Sequence, residues 1–189
     1  MRKAIFLPLM FVLLSCGRSE IVGDALKKAN ETQAMAMLKQ YQVAQSIYRV
    51  EGWGPEFGYA RFGDLYEESG GGQFLDERTY KAWDGHTYSA PVSGYLIADI
   101  DTDRSRRAGA CAYPLEPGRS GDLMILMLLD DSDPDEWGYY VAPAEAIGEP
   151  IRTWPGAATL GKFRRLEKFS PQEGLERARE LFDEATSQE

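Results

Sequence analysis

Residues Ala29–Tyr48 read ANETQAMAMLKQYQVAQSIY, and this stretch decides the fold. Ala34, Met37 or Leu38, Tyr41, Ala44 and Tyr48 follow one another at three- and four-residue steps, the repeat of one helical face. Glu31, Lys39, Gln42 and Arg49 fall elsewhere on the wheel. The spacing predicts one long amphipathic helix. Such a stripe is not stable alone in water, so later parts of the chain must supply the surface that covers it. Gly52-Trp53-Gly54-Pro55 ends the helix with a glycine stop and a proline that cannot continue it.

On the N-terminal side, residues 17–28 are polar around Gly23 and read as a tether or as the start of the same helix, with Ser19 and Asp24 as candidate caps. Before them stand Arg2 and Lys3, an apolar run from Ala4 to Leu14, then Ser15 and Cys16. That run falls short of the ~18 apolar residues that cross a bilayer and has the layout of a signal peptide. Leu13-Leu14-Ser15-Cys16 resembles the bacterial lipoprotein lipobox, which implies cleavage before Cys16 and lipidation of that cysteine. Residues 1–15 are therefore expected to be a lipoprotein signal peptide, and residues 16–28 the lipidated Cys16 and its tether. Several acyl chains on one cysteine hold a domain stably at a membrane surface. Gly17, in place of an Asp that would suggest retention at the inner membrane, points to the periplasmic side of the outer membrane.

The full chain of 189 residues carries a net charge of −9, and loss of Arg2 and Lys3 leaves 19 basic against 30 acidic residues, or −11. A surface of that sign argues against nucleic acid and against electrostatic attraction to anionic lipid. About 170 mature residues suffice for one domain with a real core. After lipidation Cys111 has no partner for an intrachain disulfide, which reads as a small buried apolar residue.

C-terminal to the helix, a Gly- and aromatic-rich connection includes an expected helical turn at Phe62 to Glu68 and three glycines at 70–72. The period then changes. Ser93–Ile100, Gly109–Leu115, Leu123–Leu129 and Gly138–Ala142 are short runs bounded by Gly, Pro, Asp and Ser, the strands of an antiparallel meander, with His86–Ala90 as a short additional candidate. The seven apolar residues 123–129 do not alternate, so that strand needs cover on both faces. One cover is the long helix, and the expected second cover is the tail. Ser170-Pro171-Gln172-Glu173 has the form of a capping box leading into Leu175, Ala178, Leu181, Phe182 and Ala185 on one stripe. Docking of this stripe on a partner is the competing reading. The expected class is α+β: a long N-terminal helix packed on a small antiparallel sheet over residues 29–160, with a helical tail over 161–189.

ANETQAMAMLKQYQVAQSIYRVEG, with Ala44, Gln45 and Tyr48 ahead of a Gly-rich break, resembles the helix that opens the soluble domains of type IV pilins and type II secretion pseudopilins. Ser93-Gly94-Tyr95, Cys111-Ala112-Tyr113-Pro114 and Pro117-Gly118-Arg119-Ser120-Gly121 are similar to a strand and hairpin turn of that group. The likeness covers about residues 29–142 and does not reach the tail. A true pilin keeps its apolar helix and polymerises through it; here the lipobox route discards the apolar segment. The resemblance thus implies a non-catalytic scaffold on a lipid anchor that contacts another envelope protein, as an accessory to a secretion or pilus machine.

Motifs for chemistry are sparse. His86, the single histidine, stands in DGHTY and reads as a turn residue, and Gly118-Arg119-Ser120-Gly121 is a turn rather than a nucleophile elbow. One His and one free Cys do not make a zinc set. No enzyme is expected. Two acidic loops remain as candidate calcium ligands: Asp130, Asp131, Asp133, Asp135 and Glu136, and more weakly Asp99, Asp101 and Asp103, whose alternate carboxylates begin like a calcium loop before Arg104 replaces its turn glycine. Some pseudopilins carry calcium in this region, which the resemblance extends to the first loop. The other reading of both is a solvated acidic turn. Trp53, Phe57, Tyr59, Phe62, Trp137, Tyr139 and Tyr140 are aromatics expected to cover the core; any left exposed beside the acidic loop would favour a ligand face. The function expected is that of a lipid-anchored envelope protein acting through protein contacts, the alternative being a calcium- or ligand-binding module.

Overall fold

The computed structural model of the chain describes residues 7–51, 58–67, 74–85, 87–133, 138–166 and 179–180, with side chains from Ile21 onward. Helix α1 spans Leu7–Val50 without a break. Residues 17–28 are thus helical, as the second of the two readings has it, and the helix is fixed to the sheet from Lys27 onward: Lys27 is anchored to Asp122 at 3.0 Å and Asn30 Nδ2 donates to the Ser120 carbonyl at 2.9 Å. The helix ends at Val50, as the following glycine predicts. Two short helices follow, α2 at Asp64–Glu67, where a turn is expected, and α3 at Glu77–Lys81, capped by Asp76 Oδ1, which accepts from Thr79 N at 2.6 Å.

Strands β1 (Tyr95–Asp99), β2 (Arg107–Pro114), β3 (Leu123–Asp130) and β4 (Gly138–Pro143) fall within two residues of the expected runs. Residues 87–90 form no strand, and the edge of β1 is instead closed by bridges from Trp83 and Val92. After α4 (Ala144–Ile147) and α5 (Ala157–Leu160) the chain returns to add β5 (Arg164–Leu166) to the far edge. The sheet is antiparallel throughout in the order β1-β2-β3-β4-β5. Its last strand lies inside the segment assigned to the tail. Of the expected tail helix only Arg179 and Glu180 are described, in helical conformation; its other residues lie outside the described set.

Every residue of β3 is buried, because each face has its own cover. Ile125, Met127 and Leu129 join Ala34, Leu38, Tyr41 and Tyr48 of α1 in one cluster. Met124, Leu126 and Leu128 pack with Ile147, Ile151, Trp154, Leu160 and Phe163 in a second. Among the described residues the second cover is thus the 144–163 excursion, which the sequence reading did not assign to this role. Arg152 ties that excursion across the sheet, donating to Asp84 at 2.5 Å, while Tyr113 donates to the same carboxylate at 3.0 Å. Gly121 is required where it stands: a Cβ there would lie 2.0 Å from the Tyr95 hydroxyl, which donates to the Leu123 carbonyl at 2.8 Å.

Candidate functional site

In an antiparallel meander alternate turns gather at one end. The β1–β2 and β3–β4 turns therefore bring the two acidic loops together, next to the C-terminal end of α1. This juxtaposition was not visible in the linear sequence. It also brings arginines, and the carboxylates close on them.

Asp99, at the end of β1, points under the helix, where Arg104 Nη2 donates to it at 2.7 Å, Phe62 N at 3.3 Å and the Tyr41 hydroxyl at 3.4 Å. Arg104 also donates to the Ala60 and Ile100 carbonyls at 3.1 and 3.0 Å. Burial pushes the Asp99 carboxyl above the usual carboxylate range, with Arg104 pulling against it. Asp101 is exposed, and its backbone bridges Thr153. Asp103 folds back on the Ser105 hydroxyl and N–H at 2.7 and 3.1 Å, and these bonds hold its carboxyl below the usual range. The three alternate carboxylates thus face three different surroundings.

In the second loop, Asp130 is fully buried and takes Arg107 Nε at 2.6 Å and Ser132 N at 2.8 Å. Burial alone would raise its carboxyl; the Ser132 N–H and Arg107 outweigh that and hold it below the usual range. Asp131 receives a two-pronged contact from Arg49, at 3.0 and 2.8 Å, and the Tyr59 hydroxyl at 2.8 Å. The Arg49 guanidinium also lies 4.5 Å over the Tyr59 ring. Asp133 is exposed, and Asp135, Glu136 and Trp137 lie outside the described residues, as do His86, Trp53 and Phe57. Among the described residues no group of three or more His, Cys, Asp or Glu side chains is placed to hold a metal.

A second polar cluster lies at the opposite end. Glu31, which the helical wheel placed outside the apolar stripe, is 1% exposed. One of its oxygens accepts the N–H groups of Asp122 and Leu123 at 2.8 and 3.3 Å, and the other is bound by Arg179. Burial raises the Glu31 carboxyl above its usual range, the Asp122 N–H and Arg179 opposing it. Beside the first cluster, the fully buried Gln45 exchanges both amide bonds with Ala60, at 2.8 and 2.9 Å, and so fixes the connection after α1 to the helix. Tyr59 and Phe62 are buried, as the covering role predicts, and Tyr140 also is; Tyr139 is half-buried and donates to Gln42 at 2.7 Å. Cys111 is buried in the second cluster, and burial pushes its thiol up to about 12, which leaves almost no thiolate near neutral pH.

No protein-family model, curated protein or solved structure matches the chain.

The arrangement is a mount. Polar clamps at both ends of the sheet fix α1 to it, and among the described residues every buried side-chain nitrogen and oxygen has a hydrogen-bond partner. The buried carboxylates Asp99, Asp130 and Glu31 are engaged by arginines and backbone N–H groups.

Proposed function

We propose that the protein is a lipid-anchored cell-envelope scaffold: a non-catalytic, pilin-like α+β domain carried on Cys16 and acting through contacts with another envelope protein. The observation that carries this reading is the apolar leader ending in Ser15-Cys16, past which α1 continues unbroken to Val50. A helix that continues from the anchor into the clamped core gives the domain a rigid stalk rather than a loose tether. Orientation relative to the membrane is then set by the helix, which suits a protein that presents a surface to a neighbour in a secretion or pilus assembly. Gly17 favours the periplasmic face of the outer membrane. Calcium is not needed for this role, since Asp99, Asp130 and Asp131 already have cationic partners.

The test is Cys16→Ser in the full chain, followed by membrane fractionation and labelling with a fatty-acid analogue. The expected result is loss of the acyl label and loss of the processed, membrane-held form. Retention of label in the variant would overturn the anchoring reading.

A further inference from the structure

The face of α1 that points away from the sheet is apolar. Of the large hydrophobic side chains left exposed among the described residues, most lie on this helix: Val22 is 66% exposed, Leu26 57%, Val43 49%, Ile47 37% and Val50 86%. They are not scattered. Val22, Ala29, Ala36, Val43 and Val50 recur at every seventh position, each small or β-branched and each exposed. Leu26, Gln33, Gln40 and Ile47 alternate with them at steps of four and three. This is a heptad seam with the first set at d and the second at a, maintained along the helix on the side opposite Leu38, Tyr41 and Gln45. A helix packed on one sheet needs only one apolar face, so the second is unexplained by the fold.

We propose that this seam pairs with the same seam of a second copy of the chain, as a parallel, in-register two-helix contact. A strict seven-residue repeat fits another helix wound to the same period, and an irregular surface does not select it. Among the described residues Arg179 sits on Glu31, on the sheet side of α1; the d residues are exposed, while Gln33 and Gln40 are half-buried and Gln40 Oε1 accepts from the Thr79 hydroxyl of α3 at 2.5 Å. Copies anchored at Cys16 stand parallel, a point at which the inference rests on the anchored reading. Parallel registration also sets Gln33 against Gln33 of the other copy, and a polar pair at an a position penalises slipped registers. Ala29 and Ala36 let the backbones approach closely at the centre.

Size decides how strong the contact is. Residues 22–50 span about 42 Å at ~1.5 Å per residue, and a strip ~10 Å wide along that length covers about 400 Å² per copy, half of the ~800 Å² of a standard interface. Pairing is therefore weak between free copies. Anchoring to one membrane supplies an effective concentration that free solution does not, on the order of millimolar for short connections.

The experiment uses the chain expressed with its own N-terminal segment, isolated in its membranes and treated with a thiol oxidant. Ala36→Cys and Val43→Cys should each give a disulfide-linked species of twice the chain mass. Arg119→Cys, on an exposed hairpin turn, should give about tenfold less, as expected when pairing rather than collision concentrates the thiols. Val22→Cys and Val50→Cys should also link; linking of Ala36→Cys alone would mean an antiparallel pair and overturn the parallel register. Adding Ala36→Glu to Val43→Cys should abolish the link without changing the melting temperature, because Ala36 faces away from the core. Equal linking at Arg119→Cys, absence of any seam link, or a product of another mass would overturn self-pairing. Membrane retention in the same samples separates failure of pairing from failure of anchoring.

Discussion

Arg107 Nε at 2.6 Å and the Ser132 N–H at 2.8 Å hold the two oxygens of Asp130, which has no contact with solvent. Its carboxyl is held below its ordinary value. A depressed carboxylate contributes stability that is complete above its unfolded value near 3.9 and is lost as pH falls through the lower folded value. Asp130→Asn should therefore destabilise the fold by about 1–2 kcal/mol at pH 7, toward the low end for a charged bond because Arg107 remains over a third exposed. Urea unfolding at pH 7 and near pH 3 checks this: the deficit should shrink in acid, and a constant deficit would assign the loss to packing rather than charge. Asp99 has the opposite sign, since burial raises its carboxyl. Its contribution weakens the fold as pH rises through the raised value, which works against Asp130 at the acid limb.

Helix α1 and the segments that meet it show the same logic among elements. The ion pair of Glu31 with Arg179 joins the helix to the far end of the chain, and neither side chain is more than 16% exposed. Removing the guanidinium strands a buried carboxylate. Arg179→Ala should cost about 3 kcal/mol near neutral pH. Because burial already raises the Glu31 carboxyl, the variant's deficit should narrow as pH falls and Glu31 is protonated in both proteins. Glu31→Gln combined with Arg179→Ala should be less damaging than Arg179→Ala alone; additive losses in denaturant melts would mean that the two do not act as a pair. The central elements were legible in the sequence, since Ala34 to Tyr48 repeat at helical spacing and the unbroken apolar run of β3 demanded two covers. Glu31 was not, because a carboxylate that accepts the two N–H groups at the start of β3 has the same wheel position as a solvated one. The cover at 144–163 was hidden too: Ile147, Ile151, Trp154 and Phe163 sit in short pieces broken by Gly and Pro and carry no period. Where α1 first meets the sheet depends on Lys27 and Asn30 reaching the turn before β3, contacts about 90 residues apart that no local pattern encodes.

Across the whole molecule the acidic excess of −9 is partitioned. Carboxylates at the ends of β1 and β3 are neutralised by Arg104, Arg107 and Arg49, and through Arg49 and Tyr41 they pin the sheet to α1. Other acidic groups, Asp101, Asp103 and Asp133 among them, are exposed at the same end. A calcium ion at that end would have to compete with guanidinium groups for Asp130 and Asp131, releasing their arginine contacts in exchange for its own ligands. A ligand that binds only the folded state raises its stability by RT ln(1 + [L]/Kd), about 1.4 kcal/mol at tenfold excess over Kd. Thermal unfolding of the full chain in millimolar calcium should therefore match that in magnesium at equal ionic strength, both salts relieving the repulsion of a shared acidic surface. A rise specific to calcium and reversed by chelation would show that this end of the domain binds the ion. Repeating the melt with Asp130→Asn then separates the cases: a calcium rise that survives the substitution places the ion on the outer part of the turn, and one that vanishes means that calcium displaces Arg107.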